Sequence, residues 1–229
     1  MIPVHVIIPA AGSGSRIGAD LPKLLLPLAG VPIIVRTVRS VLQCADVTDV
    51  IVTAPAGYEG HYRNLLQKEK VQVVTGGASR TESVFIALQH LAKNIKDPEK
   101  ELVMVHDGAR CFISLDIIER SLAAASEKKA VTVAVPVIDS IKKVIDTAQV
   151  VESLDRSTLV AVQTPQVFTF NLLMRAHLKQ QESGSPATDD ASLVESIHPV
   201  FTVEGDRKNF KVTTPFDLQI AEFLAAPNK

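Results

Sequence analysis

The stretch Val4-His5-Val6-Ile7-Ile8-Pro9-Ala10-Ala11-Gly12-Ser13-Gly14-Ser15-Arg16-Ile17-Gly18, followed by Pro22-Lys23, decides how this chain is read. A short β-branched run bounded by prolines predicts a buried strand over 4–8, and small residues directly after it predict a tight loop. Successive N–H groups in such a loop form an anion-binding concavity that side chains do not block. The loop is not a dinucleotide fingerprint, because Arg16 interrupts G-x-G-x-x-G, and it is not a P-loop, because no Gly-Lys-Ser/Thr closes it. An arginine inside the loop and a lysine seven residues later suit a triphosphate whose charge must be balanced. Read from these residues alone, a strand–helix turn with two solvated cations serves equally well.

Outward from this loop, the pattern alternates apolar runs with amphipathic segments. Helices are predicted over 33–45, 62–69, 80–92, 171–181 and 215–225, with another opened by Ser114 as N-cap. Strands are predicted over 50–54, 71–74, 102–105, 130–137, 159–162 and 200–203. Strand–helix–strand repetition with near-continuous apolar strands predicts an α/β, Rossmann-like, mostly parallel sheet covered by helices on both faces. Such sheets bind ligands beyond the carboxyl ends of their strands. From Ser140 the texture turns polar: 141–145 and 150–154 predict a small β-hairpin arm, within an excursion at about 138–158, set against a partner subunit. No repeat or long linker divides the chain, so residues 1–229 are expected to form one domain.

Composition narrows the function. The 229 residues are 46% hydrophobic and 21% charged, which fits a soluble globular protein. Lys plus Arg number 24 against 25 Asp plus Glu, a net charge of -1, so no general nucleic-acid or membrane surface is expected. Two cysteines, Cys44 and Cys111, make neither a disulfide scaffold nor a zinc ribbon, and the six histidines are scattered. No apolar run approaches the roughly 20 residues that span a bilayer, and no basic n-region opens the chain, so a cytoplasmic location is expected.

Three more clusters follow predicted strands. Gly76-Gly77-Ala78-Ser79-Arg80-Thr81-Glu82-Ser83 offers N–H groups, a guanidinium and a hydroxyl where a base or ribose could be read. His106-Asp107-Gly108-Ala109-Arg110 places a carboxylate that can hold Mg²⁺ or a hydroxyl. Lys211 ends the last strand. Each alone is also a turn, a cap or a solvated lysine; their convergence at the strand ends of one sheet favours an enzyme.

In order, these segments resemble the 2-C-methyl-D-erythritol 4-phosphate cytidylyltransferase family, within the wider sugar-nucleotide pyrophosphorylases. The resemblance rests on Pro9-Ala10-Ala11-Gly12-x-Gly14-x-Arg16 with Pro22-Lys23, Gly77-x-x-Arg80-x-x-Ser83, His106-Asp107-Gly108-Ala109-Arg110, Asp139-Ser140-x-Lys142, Asp155-Arg156, Gln163-Thr164-Pro165-Gln166, Thr188-Asp189-Asp190-Ala191-Ser192 and Asn209-x-Lys211-Val212-Thr213. It implies transfer of CMP from CTP to a sugar-alcohol phosphate, with release of pyrophosphate and Mg²⁺ present. Arg16 and Lys23 would hold the triphosphate, while Arg156 and Lys211 would grip the acceptor phosphate. The backbone of Ala10, Ala11 and Gly77 with the Ser83 side chain would read cytosine, flanked by Gly12, Gly14, Arg80 and Gly108. Asp107 would lie near ribose, metal or acceptor hydroxyls, and Arg110, Ser140 and Thr164 would line the acceptor pocket. The resemblance also implies a homodimer whose hairpin arms lend residues to each other's sites. Departures are Leu24 for a common Gln, Gly108 for Ala, Cys111 for Pro, Ser140 for Thr and Thr214 for Arg. Val212-Thr213-Thr214-Pro215 also fits ribitol 5-phosphate cytidylyltransferases, and a nucleotide-binding module without turnover is the alternative of another class.

Overall fold

The computed structural model describes residues 2–12, 21–184 and 187–226. Arg16 and Gly14, both expected at the triphosphate, lie outside the described residues. The first strand, β1 (Val4–Pro9), is followed by a two-residue pair, β2 (Pro27–Leu28) and β3 (Val31–Pro32). Next come α1 (Ile33–Val41), β4 (Val47–Ala54), α2 (Glu59–Leu66), β5 (Gln72–Thr75), α3 (Arg80–Leu91) and β6 (Leu102–Val105). The middle of the chain holds α4 (Leu115–Lys128), β7 (Ala130–Pro136), β8 (Lys142–Val144), β9 (Val150–Ser153) and β10 (Val160–Thr169). It closes with α5 (Phe170–Ser183), α6 (Asp190–Glu195), β11 (Phe201–Glu204) and α7 (Pro215–Ala225).

Seven strands form one sheet in the order β11-β7-β10-β6-β1-β4-β5. β1 pairs in parallel with β4 and β6, β4 with β5, and β7 with β11; β10 runs antiparallel between β6 and β7. The alternation of β1 shows why both faces are covered. Val4, Val6 and Ile8 pack with α1 and α4, whereas Ile7 packs with Val84 and Leu88 of α3 and Leu173 of α5 on the other face. All of these side chains are buried. Burying each such side chain stabilises by roughly 1.5–3 kcal/mol before the entropy of ordering is subtracted. The helix starts follow their caps: Ser79 accepts from Glu82 N, and Ser114 from Ile117 N, so the Ser114 start is as expected.

Several expectations move. Lys211, expected to end the last strand, lies outside any strand, in the segment between β11, which ends at Glu204, and α7; it is held there by Val212 N donating to Ala109 O. The helix expected over 33–45 ends at Val41, and its last apolar positions continue into a turn where Cys44 is buried. The expected strand over 159–162 extends to Thr169 and is reversed in direction. Gln163-Thr164-Pro165-Gln166, directly after the expected strand end, is carried at a register irregularity between Val162 and Gln166, where a missing N–H is tolerated. The helix α6, capped reciprocally by Asp189 and Ser192, had no prior expectation. The hairpin expected over 141–154 is present: β8 and β9 pair only with each other, and every residue in both is exposed.

At the amino end of β1, far along the strand from the glycine loop, the buried His5 lies between two carboxylates. Its Nδ1 is 2.9 Å from Asp49 Oδ2, and its Nε2 is 2.9 Å from Glu101 Oε2. Burial acts to raise the pKa of Glu101, but the Asp97 and Lys96 N–H groups and His5 outweigh it and leave it lowered. A carboxyl held lower in the folded state stabilises above its unfolded pKa of about 4.3, and this stability is lost as pH falls through the folded value. Glu101→Gln should therefore lower stability at pH 7. In urea titrations the gap to the parent should close below about pH 4; a gap independent of pH would assign the loss to packing.

Candidate active site

β1 is flanked by β6 on one side and β4 on the other, and the chain leaves it in one direction before crossing back in the other. That reversal opens a crevice at the carboxyl ends of the strands. A cavity of about 280 Å³ sits there, walled by the loops after β1, β5 and β6 and by residues before α7. Of the expected residues, Ala10, Ala11, Gly12, Lys23, Gly77, Arg80, Ser83, Asp107, Gly108 and Lys211 line it. Arg110, Ser140, Thr164 and Arg156 do not. Leu24 and Thr213 also line it and were not expected.

The loops are tied to the sheet and to each other. Ala10 N donates to Thr53 O at 3.0 Å, and Gly76 N to Ala54 O at 2.8 Å. Tyr62, buried on α2, donates to Ala10 O at 3.4 Å. A Cβ on Gly76 would lie 2.5 Å from the Ala11 methyl and 2.9 Å from Ser83 Oγ, so only glycine lets these two loops meet. Ser83 Oγ donates to Ser79 O and accepts from Gly77 N, which fixes the turn into α3. A Cβ on Gly108 would stand 2.8 Å from Leu24 Cδ1, so the leucine and the glycine of the sequence departures share one space.

Asp107 is the electrostatic centre. Its Oδ1 accepts from Arg80 Nε at 3.1 Å; its Oδ2 lies 2.9 Å from Lys211 Nζ and 3.7 Å from Arg110 Nε. Burial pushes this carboxyl up, but the charges of Arg80, Lys211 and Arg110 overcome burial and hold it well below the usual carboxylate range. Burial also lowers the pKa of Arg110, against the opposing pull of Asp107. The backbone beneath is held by a relay. Asp107 N donates to Thr164 Oγ1 at 3.0 Å, the Thr164 hydroxyl lies 3.1 Å from His106 Nδ1, and His106 Nε2 lies 3.0 Å from Arg110 O. A carbonyl only accepts, so His106 Nε2 carries hydrogen and Nδ1 accepts from the threonine. Burial pushes His106 down to about 4, so the ring stays neutral and this tautomer persists. Thr164 thus lies under the cavity as a support.

Lys23, in a 3-10 turn at Lys23–Leu25, donates to Val212 O at 2.6 Å, which places it beside the Lys211 segment. That segment is anchored by Val212 N to Ala109 O and by Arg110 Nη1 to Asn209 O. Arg156 stands away from the cavity at the foot of the arm, donating to Ile138 O at 2.7 Å. Ser140 is exposed on the same excursion. Sequence reasoning missed Asp190, which is buried and binds Arg80 Nη1 at 2.6 Å from 110 positions away. Its only signal was its place in the Thr188–Ser192 motif.

A cavity walled by three cations and one carboxylate, at the strand ends of such a sheet, is built for anions. Residues 4–226 match the family described as 2-C-methyl-D-erythritol 4-phosphate cytidylyltransferase. The chain belongs to that family. It is 46% identical over 222 residues to the enzyme so named in Bacillus cytotoxicus, covering 95% of each chain. The Synechococcus elongatus enzyme is 41% identical over 226 residues, covering 96% of this chain and 95% of that one. The crystal structure of the enzyme from Thermus thermophilus superposes with a TM-score of 0.81 at 35% identity, covering 98% of this chain and 99% of that one.

Thr164→Val keeps the shape and removes the hydroxyl between Asp107 N and His106 Nδ1. Leaving those buried groups unpaired should lower unfolding free energy by about 1–3 kcal/mol, read by urea denaturation. Wild-type stability in this variant would show that the relay contributes nothing to the fold.

Proposed function

We propose that the cavity transfers CMP from CTP to 2-C-methyl-D-erythritol 4-phosphate, releasing pyrophosphate. The observation that carries this reading is the placement of Lys23, Arg80 and Lys211 around Asp107 in a cavity of nucleotide size, in a chain of this family. A phosphate monoester is already largely ionised near neutral pH, so the attacking oxygen needs no strong base. It needs cations that bring two anions together and hold them in line. The new bond joins an acceptor phosphate oxygen to the α-phosphorus; the bond from that phosphorus to the bridging oxygen breaks, and its electron pair leaves with pyrophosphate.

Lys23, with Arg16, is assigned to the triphosphate, and Lys211, with Arg156, to the acceptor phosphate. Lys211 reaches a phosphate by exchanging the Asp107 carboxylate for it, while Arg80 stays on Asp107. The backbone of Ala10, Ala11 and Gly77 and the Ser83 turn are assigned to cytosine. Arg110 and Thr164 act on the acceptor side from beneath, by fixing Asp107, and Ser140 belongs to the arm.

Among the described residues no three metal-ligating side chains cluster, and Asp107 is the one carboxylate among those lining the cavity. This donor set fits a Mg²⁺ held mainly by the triphosphate, towards which Asp107 would offer the protein's carboxylate oxygen and which would neutralise phosphate charge. No described helix is long and apolar enough to cross a membrane, and two free buried cysteines fit a reducing compartment, which supports a cytoplasmic site of action.

The arm is assigned to a second copy. Val144, Val150 and Val151 are each at least half exposed, although a lone two-stranded hairpin is marginal in water. A C₂ dimer in which Arg156 serves the neighbour's cavity covers these side chains and completes the cation set.

Pyrophosphate release from CTP, with methylerythritol phosphate or ribitol phosphate supplied separately, tests the reaction. Turnover with the first acceptor is expected; turnover with the second alone would reassign the acceptor, and none with either would overturn the reading. Lys23→Ala should lower kcat about 10²–10³-fold. Lys211→Ala should spoil acceptor binding and leave CTP affinity, measured without acceptor, nearly unchanged; the reverse pattern would exchange the two assignments.

Mixing Lys23→Ala with Arg156→Ala subunits tests the shared site. In a heterodimer one site would carry both lesions and the other none. Random mixing should return roughly a quarter of parental activity. No recovery would confine each site to one chain.

A further inference from the structure

On the opposite side of Arg80 from Asp107 lies a buried pair that the reaction as described does not use. Asp190 and His177 are each about 1% exposed. Asp190 Oδ2 accepts from Arg80 Nη1 at 2.6 Å, and its Oδ1 lies 3.1 Å from His177 Nε2. Burial pushes the Asp190 carboxyl up, but Arg80 and His177 outweigh burial and leave it lowered, so it is an acceptor only. His177 Nε2 therefore carries the hydrogen of that bond. The ring stacks on Phe85 at 6.1 Å between centroids, and its Nδ1 has no partner among the described residues. His177 is thus held by one hydrogen bond, to the carboxylate that binds Arg80, and by one stack.

We propose that Asp190 and His177 are positioning residues for Arg80. They hold its guanidinium so that it bridges two carboxylates through Nε and Nη1 and offers Nη2 to the bound nucleotide. Arg80 spends Nε on Asp107 and Nη1 on Asp190, which fixes the plane of the fork at two points. Its Nη2 makes no hydrogen bond among the described residues, and the side chain lines the cavity. The division works because Asp190 has only one oxygen left for Arg80; His177 occupies the other. Without the histidine donor both Asp190 oxygens would be open, and a guanidinium prefers to engage a carboxylate with two parallel bonds. Arg80 would then turn onto Asp190, leave Asp107 and withdraw from the nucleotide.

The charged groups that decide this are few. Asp107 faces Arg80, Arg110 and Lys211, with neutral His106 beside it; Asp190 faces Arg80 and His177; Lys23 shares the cavity. The neighbouring Asp189 is occupied by Gln166 and by the N–H of Ser192, so it does not compete for Arg80.

The inference rests on the cytidylyl-transfer reading, and its test separates the two. CTP affinity is measured by calorimetry without acceptor, and kcat at saturating CTP. His177→Phe keeps the stack and removes the donor; it should weaken CTP binding about tenfold while kcat falls less than threefold. His177→Gln retains an N–H and should restore most of the affinity. In an Arg80→Ala background, His177→Phe should cause no further loss, because its effect passes through the arginine. Asp190→Asn should weaken CTP binding as His177→Phe does, and it carries the test should circular dichroism show His177→Phe unfolded. Parental CTP affinity in a folded His177→Phe or Asp190→Asn, or losses that simply add to that of Arg80→Ala, would overturn the positioning role. A parent that binds no CTP would sink the functional reading with it; a parent that binds CTP beside variants that bind equally well would sink this inference alone.

Discussion

Asp107 is nearly buried with its carboxylate ionised, and three cationic side chains from three parts of the chain meet around it. A carboxylate so placed without partners would be costly, and so would the cations without it. The pairing lets a cavity keep a stock of positive charge in a folded protein before any phosphate enters. It also explains why so much of the surrounding structure is bracing. Thr164 and His106 fix the backbone of Asp107; Asn209 O holds Arg110; Asp190 holds Arg80; the Val212 carbonyl holds Lys23. Each brace restrains a charge that must be present but must not collapse onto its neighbour.

The sheet makes this bracing reachable. β10 is its one reversed strand, and its Gln166 pairs with Val105 at the very end of β6. Residues just before Gln166 therefore lie beyond the carboxyl end of β6, where Asp107 begins. A parallel strand in that position would have delivered its amino-terminal residues to the opposite edge. The reversal is what puts the Thr164 hydroxyl under Asp107 N, and the Thr164 carbonyl within 2.8 Å of Asn209 Nδ2.

Local signals made much of this legible in the sequence. The apolar run of β1, the cap at Ser114 and the small residues after β1 and β5 all act over a few neighbours, and a linear reading finds them. The same holds for the arm, whose polarity marks it as outside the core. The reversed strand was cut short because Gln163-Thr164-Pro165-Gln166 has the composition of a turn, while its side chains are satisfied by Asn209, His106, Thr132 and Asp189, partners remote in sequence. Asp190 and His177 escaped for the same reason. A carboxylate that serves an arginine 110 residues away leaves no periodicity to detect. The resemblance drew attention to the Asp189-Asp190 motif and assigned it no task; the hydrogen bonds to Arg80 and His177 supply one.

Charge also bears on the arm. Among the described lining residues, Lys23, Arg80 and Lys211 stand against Asp107 alone. A phosphate monoester brings a charge of about −1.5 to −2 near neutral pH, and a triphosphate brings more. The cavity of one described chain therefore does not balance both substrates of the proposed reaction, even before the positive charge spent on Asp107 is counted. The proposed reaction assigns the further cations to Arg16, to a metal carried by the triphosphate, and to Arg156, whose hydrogen bond among the described residues goes to the Ile138 carbonyl on an exposed excursion. On this reasoning the exposed apolar side chains of the hairpin and the unspent charge at its foot answer one requirement. In the proposed dimer, a surface that brings two copies together would hide the valines of the arm and, in the same step, deliver Arg156 to an anion-rich site.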